Sequence, residues 1–260
     1  MKSRIAVISD IHSNADALKI ALKEVKKNNV DITVFLGDIL TYGIQPLKVI
    51  NMLEIYQKEN SVVFIKGNHD QFYFDMQSGM NINELTNKLP KFIIESLNWT
   101  VNKISPFLLK NTFKWYENYF IGDIYFSHAN FFSYGDWSYI NKHDDLQRSF
   151  QKLFKKNVFA GVFGHSHRQL FIGKKENNLI EMNSFISDIR NIDQLIINAG
   201  SIGQPRGQGI GFLILDVNNN NLVKASFEKI HIDFQNSINL IKQSELSEET
   251  KKKLIYYLEI

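Results

Sequence analysis

Apolar residues along the chain gather in short runs that close on polar or acidic positions. "RIAVISD" (4–10) carries Ile and Val up to a terminal carboxylate, the pattern of a strand buried on both faces. "DITVFLGD" (31–38) and "SVVFIKGNHD" (61–70) repeat it. Between the first two, Ala17, Leu18, Ala21, Leu22 and Val25 recur at helical spacing within 15–29. The stretch 45–60 predicts a second helix, starting beside Pro46. Strands that alternate with helices predict stacked α/β layers.

The stretch 71–120 breaks this rhythm. It holds Met, Phe, Trp and Tyr among scattered Asn and no strand that ends on polar residues. It predicts a helical insertion or cap after the third strand, with one helix over 90–104. Its aromatic residues (Phe72, Tyr73, Phe74, Phe92, Trp99, Trp115 and Tyr116) read most simply as core, with base stacking in a substrate-selecting cap as the competing reading. The strand pattern returns at 122–130 and 157–169, and 177–185 and 193–206 are further strand candidates. Residues 211–230 predict a hairpin that turns on its Asn run, and 234–260 predict one or two terminal helices. The expected organisation is one domain over 1–232, including the insertion, and a helical extension over 233–260.

Composition narrows the classes. The chain has 260 residues, 44% of them hydrophobic, enough for a sizeable core. Lys and Arg total 30 against 27 Asp and Glu, too even a balance to make nucleic acid or an acidic membrane the main partner. The basic runs at 152–156 and 251–253 read as solvated helix faces rather than a nuclease surface. No cysteine is present, which excludes disulfides, thiolate metal sites and Cys nucleophiles. "MKSRIAVISDIHSN" does not read as a signal peptide, and no run approaches the roughly 18 apolar residues of a membrane span. The expectation is a cytoplasmic protein, with oligomerisation left open.

The strand ends hold the chemistry. Asp10 and His12 follow the first, Asp38 the second, Asn68 and His69 the third; His128 and then His165 with His167 follow later ones. In open α/β folds functional groups collect at the carboxyl ends of strands. Each piece alone is compatible with a surface turn or a satisfied rim histidine. Together they take five of the seven histidines, leaving His143 and His231, and only His, Asp or Asn stands at the key places. That donor set suits borderline divalent metals such as Mn, Fe and Zn.

In order, "SDIHSN", "GDILTYG", "GNHD", "SHAN", "GHSH" and "NAGSIGQPR" resemble the calcineurin-like metallophosphoesterase superfamily, nearest its small bacterial and archaeal phosphodiesterase-like branch. The resemblance spans roughly residues 4–230. It implies two mixed β-sheets in a sandwich flanked by helices. It also implies two divalent ions, most readily Mn, with Fe, Zn or Ni as alternatives. Asp10, His12 and His167 would hold one; Asn68, His128 and His165 the other; Asp38 would bridge them. A hydroxide shared by the ions would attack phosphorus. His69 would serve as general acid or phosphate contact, with Asn68 also meeting substrate. In "NAGSIGQPR", backbone amides and Arg206 would approach the phosphate. The substrate implied is a small phosphodiester or phosphomonoester, nucleotides among them. Dinucleoside polyphosphate hydrolysis stays open. Ser/Thr protein phosphatases of the superfamily show "GDxHG" and "GDxxDRG"; here Ser13 replaces Gly and Thr41-Tyr42 replace Asp-Arg. That substitution ranks protein phosphatase lower. A non-catalytic scaffold is a third reading, weakened by the intact donor positions.

Overall fold

The computed structural model describes residues 2–80, 89–104, 106–140, 142–176, 178–182, 189, 191–207 and 209–259. The expected positions at 81–88 and 183–185 lie outside the described residues.

Strand β1 (Lys2–Ile8) shows why its run is apolar on both sides. Ile5 and Val7 enter one core, while Ala6 and Ile8 enter another. Successive side chains of a strand point to opposite faces, so β1 needs apolar residues throughout. It is followed by α1 (Ala15–Lys27), β2 (Ile32–Phe35), α2 (Pro46–Glu59), β3 (Val62–Ile65) and α3 (Asn68–Gln77). The Asn14 side chain accepts from the Ala17 N–H and caps α1.

Two further helices, α4 (Lys91–Lys103) and α5 (Pro106–Thr112), occupy the expected insertion. The expectation of a strand-free stretch up to 120 is corrected at its end. β4 (Trp115–Tyr116) pairs parallel with β3, and β5 (Asn118–Ile121) pairs with β6 (Ile124–Ser127). The strands are short and aromatic, so sequence alternation does not separate them from the helices before them. Then come α6 (His143–Lys155), β7 (Ala160–Phe163), β8 (Gln169–Lys175), β9 (Asn178–Glu181), β10 (Gln194–Ala199), β11 (Gly211–Asn218) and β12 (Asn221–Lys229). Helices α7 (Gln235–Gln243) and α8 (Glu248–Tyr256) end the chain.

These strands form two mixed six-stranded sheets, in the orders β12-β11-β1-β2-β3-β4 and β5-β6-β7-β10-β8-β9. The sheets face each other across Ile5, Val7, Val34 and Leu36 on one side and Phe126, Val162, Leu195 and Ile197 on the other. Helices cover the outer face of the first sheet, and α6 covers that of the second through Phe150 and Leu153. Ile238, Ile241 and Leu254 join the first of these outer cores, so the terminal helices share the domain's core. β1, β2 and β3 run parallel, as do β6, β7 and β10. Their carboxyl ends therefore open on one edge of the sandwich, where a site is expected.

Candidate metal centre

Every donor read from the sequence lies on that edge. Asp10 and His12 follow β1, Asp38 follows β2, and Asn68 and His69 open α3 just past β3. His128 follows β6, and His165 and His167 follow β7. Asp10, His12 and His167 form one buried cluster with a ligand atom from each within 4.8 Å of the others; Asp38, His128 and His165 form a second. Each cluster takes donors from both sheets.

The backbone that aims them is unusual. Asp10, His12, Asp38, His165 and His167 all have positive φ, between 47° and 63°. Non-glycine residues rarely adopt that region, and such strain collects at functional sites. The tight turns place donors from one strand end in different directions. His165 and His167, two positions apart, thereby join different clusters.

Four imidazoles are fixed by backbone carbonyls. His12 Nδ1–H donates to Leu40 O at 3.0 Å, His128 Nδ1–H to Leu36 O at 2.6 Å, and His167 Nδ1–H to Gln204 O at 2.6 Å. His165 donates from the other nitrogen, Nε2, to Trp137 O at 2.9 Å. A carbonyl can only accept, so each bond sets the tautomer and leaves the opposite nitrogen as a lone pair facing the centre. The carboxylates are divided in the same way. Asp10 Oδ2 accepts from Ser9 Oγ and from His165 N–H at 3.1 Å, while its buried Oδ1 has no hydrogen-bond partner. Asp38 Oδ1 accepts from His69 N–H at 2.8 Å, and Oδ2 lies 3.8 Å from His12 Nε2 and 3.3 Å from His128 Nε2. Oδ2 of Asp38 thus stands between the two clusters.

This donor set fits a pair of divalent cations. His12 Nε2 and His167 Nε2 face each other at 3.1 Å, and Asp10 Oδ1 lies 3.2 Å from the latter. Two imidazole lone pairs directed at one another repel unless positive charge lies between them. The orphaned Asp10 oxygen calls for the same charge. At the second cluster Asn68 Oδ1 lies 3.0 Å from His128 Nε2, which places a neutral oxygen donor beside the triad.

The sequence comparison agrees with the geometry. A family model described as calcineurin-like phosphoesterase matches residues 3–178. The chain belongs to the calcineurin-like phosphoesterase family. It is accordingly a hydrolase of phosphoric esters. An uncharacterized protein of Methanocaldococcus jannaschii is 29% identical to this phosphoesterase over 213 residues, 79% of each chain. The crystal structure of a metallophosphoesterase from Sphaerobacter thermophilus superposes with a TM-score of 0.74 at 22% identity, covering 99% of this chain and 100% of that one. A hypothetical protein from Pyrococcus horikoshii OT3 gives 0.74 at 18% identity, covering 96% and 97%. At these identities the two structures establish a common fold.

The charges of the phosphoesterase centre follow from burial and mutual contact. Burial pushes the His69 ring down to about 4, and burial reinforced by His128 does the same for His165. Burial also holds His12 well below its ordinary value. For His128 burial is outweighed by the Asp38 carboxylate, which raises the ring to about 9. Asp38 in turn is held well below the carboxylate range by His128, against its own desolvation. A proton between His128 Nε2 and Asp38 Oδ2, 3.3 Å apart, therefore competes with a cation for that ring nitrogen.

Three contributors escaped the sequence reading. Asp70 accepts from the N–H groups of Asp38 (2.7 Å), Gly67 (2.9 Å) and Ile39 (3.1 Å), tying two ligand loops together. Burial, then the charge of Asp38, raises its carboxyl to about 7. Its position as the last residue of "GNHD", at N3 of α3, was the available signal. Tyr42 is 5% exposed, and its hydroxyl meets His69 Nε2 at 3.1 Å. Burial raises its hydroxyl pKa, and the nearby charge of Arg206 partly offsets that. The sequence showed it only as the absence of an arginine. Tyr139 lies over the His165 ring, 4.5 Å between centroids and 16° from parallel. The aromatic run "FFSY…W.Y" directly after "SHAN" was its signal.

The expectation that backbone amides of "NAGSIGQPR" reach a phosphate is corrected. The Ile202 and Gly203 N–H groups donate to the carbonyls of Ser9 and Asp10, at 3.3 and 3.1 Å. A Cβ on Gly203 would collide with the Ile11 carbonyl, so glycine is required for that approach. The loop instead braces the Asp10 turn and fixes His167 through Gln204. Arg206, held by Gln204 Oε1 at 2.8 Å, remains beside Tyr42. The insertion's aromatic residues divide. Tyr73 is fully buried, Phe64 packs on Phe113 and Trp115, and Phe92 stacks behind Tyr42 at 6.1 Å. Among the described residues no helix is long and apolar enough to cross a membrane.

Proposed function

We propose that this chain is a dinuclear-metal phosphodiesterase in which His69 is the general acid. Asp10, His12 and His167 would hold one cation and Asn68, His128 and His165 the other, with Asp38 shared. Two divalent cations, Mn by preference, would supply an acidified water and draw charge from the phosphoryl oxygens. What carries the reading is the pair of buried triads, their imidazoles fixed by backbone carbonyls and a carboxylate oxygen aimed into each.

The chain's own groups do the rest. His69 N–H orients Asp38 by its bond to Oδ1, so one residue both positions the shared ligand and stands beside it. Burial opposes charge on the ring of His69 and favours its neutral form. An anionic ester brought beside it favours the imidazolium, which then gives its proton to the departing alkoxide as the P–O bond breaks. Arg206 and the Tyr42 hydroxyl, which stands beside His69, would hold a non-bridging oxygen. A phosphodiester carries one negative charge and suits a centre with a single arginine. Uncharged Tyr42 does not supply the second positive group that a monoester dianion or phosphoprotein would favour.

The test is hydrolysis of bis-p-nitrophenyl phosphate by Mn-loaded protein, set beside p-nitrophenyl phosphate. Diester turnover should dominate. His69→Ala should retain two metal equivalents and lose about 10²–10⁴-fold in kcat, the usual contribution of general acid catalysis. A His69→Ala variant as fast as wild type removes the assigned role, and absence of turnover on both esters removes the reading.

A further inference from the structure

An open groove of about 920 Å³ runs away from the metal centre toward the end of α8. Its volume is within the range of small-molecule sites. The inner wall is the ligand loop itself: Ser166 lies between His165 and His167, and Arg168 follows directly. Its lining includes Tyr139, which is 44% exposed and whose ring lies on His165. Arg206 and Tyr256 also line it, the latter 68% exposed. Arg206 lies 4.9 Å from the Tyr257 ring centroid, and its carbonyl accepts from Arg168 Nε at 3.1 Å. Arg206 also neighbours the Tyr42 hydroxyl that holds His69. The groove therefore begins on the side where the proposed acid stands, the side on which a leaving alcohol departs.

Exposed aromatic rings that share one concave site with basic side chains offer flat apolar faces and positive charge together. Here two of them flank one groove that abuts a phosphate-binding centre. We propose that this groove is the subsite for the alcohol arm of the ester, and that the arm is a nucleoside, its base stacked against Tyr139 or Tyr256. Arg168 would meet a further phosphate or the sugar hydroxyls, and Glu181, also in the lining, can accept from exocyclic amines. Base stacking on an aromatic side chain is sequence-tolerant, so the class is nucleosides generally rather than one base. The selecting aromatic groups come from the loop after β6 and from the terminal helix, not from the insertion. This inference rests on the phosphodiesterase reading for the groove's neighbour.

Binding separates the two. Titrate Mn-loaded protein calorimetrically with adenosine 5′-monophosphate and with ribose 5-phosphate, which differ by the base. Wild type should bind the nucleotide at least about tenfold more tightly, the lower part of the range for one stacked base. The double variant Tyr139→Ala/Tyr256→Ala should bring the ratio to within about twofold. Tyr139→Phe/Tyr256→Phe, which keeps both rings, should preserve it. A ratio near one in wild type overturns the proposal, as does a ratio that survives in the alanine pair. Turnover of bis-p-nitrophenyl phosphate with no base preference leaves the catalytic reading standing and removes the groove. A base preference without turnover on any ester does the reverse.

Discussion

Tyr42→Phe isolates one hydroxyl. The ring is held by packing: it lies 4.5 Å from the His12 ring and 6.1 Å from Phe92, and phenylalanine keeps both contacts. What disappears is the 3.1 Å bond to His69 Nε2, in a residue that is 5% exposed. His69 Nδ1 is already buried without a partner, so the variant leaves both ring nitrogens unpaired. An unsatisfied buried polar group costs about 1–3 kcal/mol. If half or more of that appears as misorientation of the acid, kcat falls about 2- to 150-fold. The loss should depend on the leaving group. p-Nitrophenolate departs with little help, whereas an alkyl alkoxide needs the proton in the transition state. The assay is kcat for a series of aryl and alkyl diesters of rising leaving-group pKa. In the variant the loss should grow along the series, with KM changing less than kcat. A uniform loss across the series, or none, would refute the argument that Tyr42 acts by orienting a proton donor.

Asp38→Asn should abolish the paired centre, because Oδ2 is the atom between the triads. Metal analysis should show fewer than two equivalents, and activity should drop by at least about a hundredfold, beyond the effect of outer-shell changes. Gly67→Ala should be as damaging without touching a ligand, since its Cβ would strike Oδ1 and the backbone nitrogen of Asp38; a soluble variant with wild-type metal content would contradict this. Without metal, stability should peak near neutral pH. His12, His69 and His165 have folded pKa values below their ordinary value of 6.5, so their contribution is full above that value and is lost as pH falls toward 4. Asp70 and His128 have folded values raised to about 7 and about 9, so theirs is lost as pH rises through those values. Near pH 5 the unfolded chain binds about two more protons than the folded one, a slope of roughly 1–3 kcal/mol per unit. Urea midpoints measured at pH 5, 6.5 and 8.5 should be highest in the middle; a highest midpoint at pH 5 would reverse the sign.

Much of the centre was legible because its donors are few, unlike their surroundings, and fixed to strand ends that apolar runs mark clearly. Asp10, Asp38 and His128 each stand one to three residues past a strand of Ile, Val or Phe. The division of His165 from His167 was not legible from alternation, which puts residues two apart on one face. Positive φ at both turns overrides it. Strands β4 and β5 were hidden because Trp, Tyr and Phe serve helix and sheet equally in segments this short. Tyr42 and Tyr139 were missed for another reason: a tyrosine has no pattern that separates packing from service to a distant histidine. The amides of "NAGSIGQPR" could not be given partners because the sequence does not show which carbonyls a loop will meet.

Each cation position joins residues from before 70 to residues from after 127. A nascent or cleaved fragment that stops short of His128 contains Asp10, His12, Asp38 and Asn68 but closes neither triad. Divalent ions bound there would therefore reward only completed molecules, adding stability to the state in which the two sheets have already met. Such an ion would inspect assembly as well as serve the reaction.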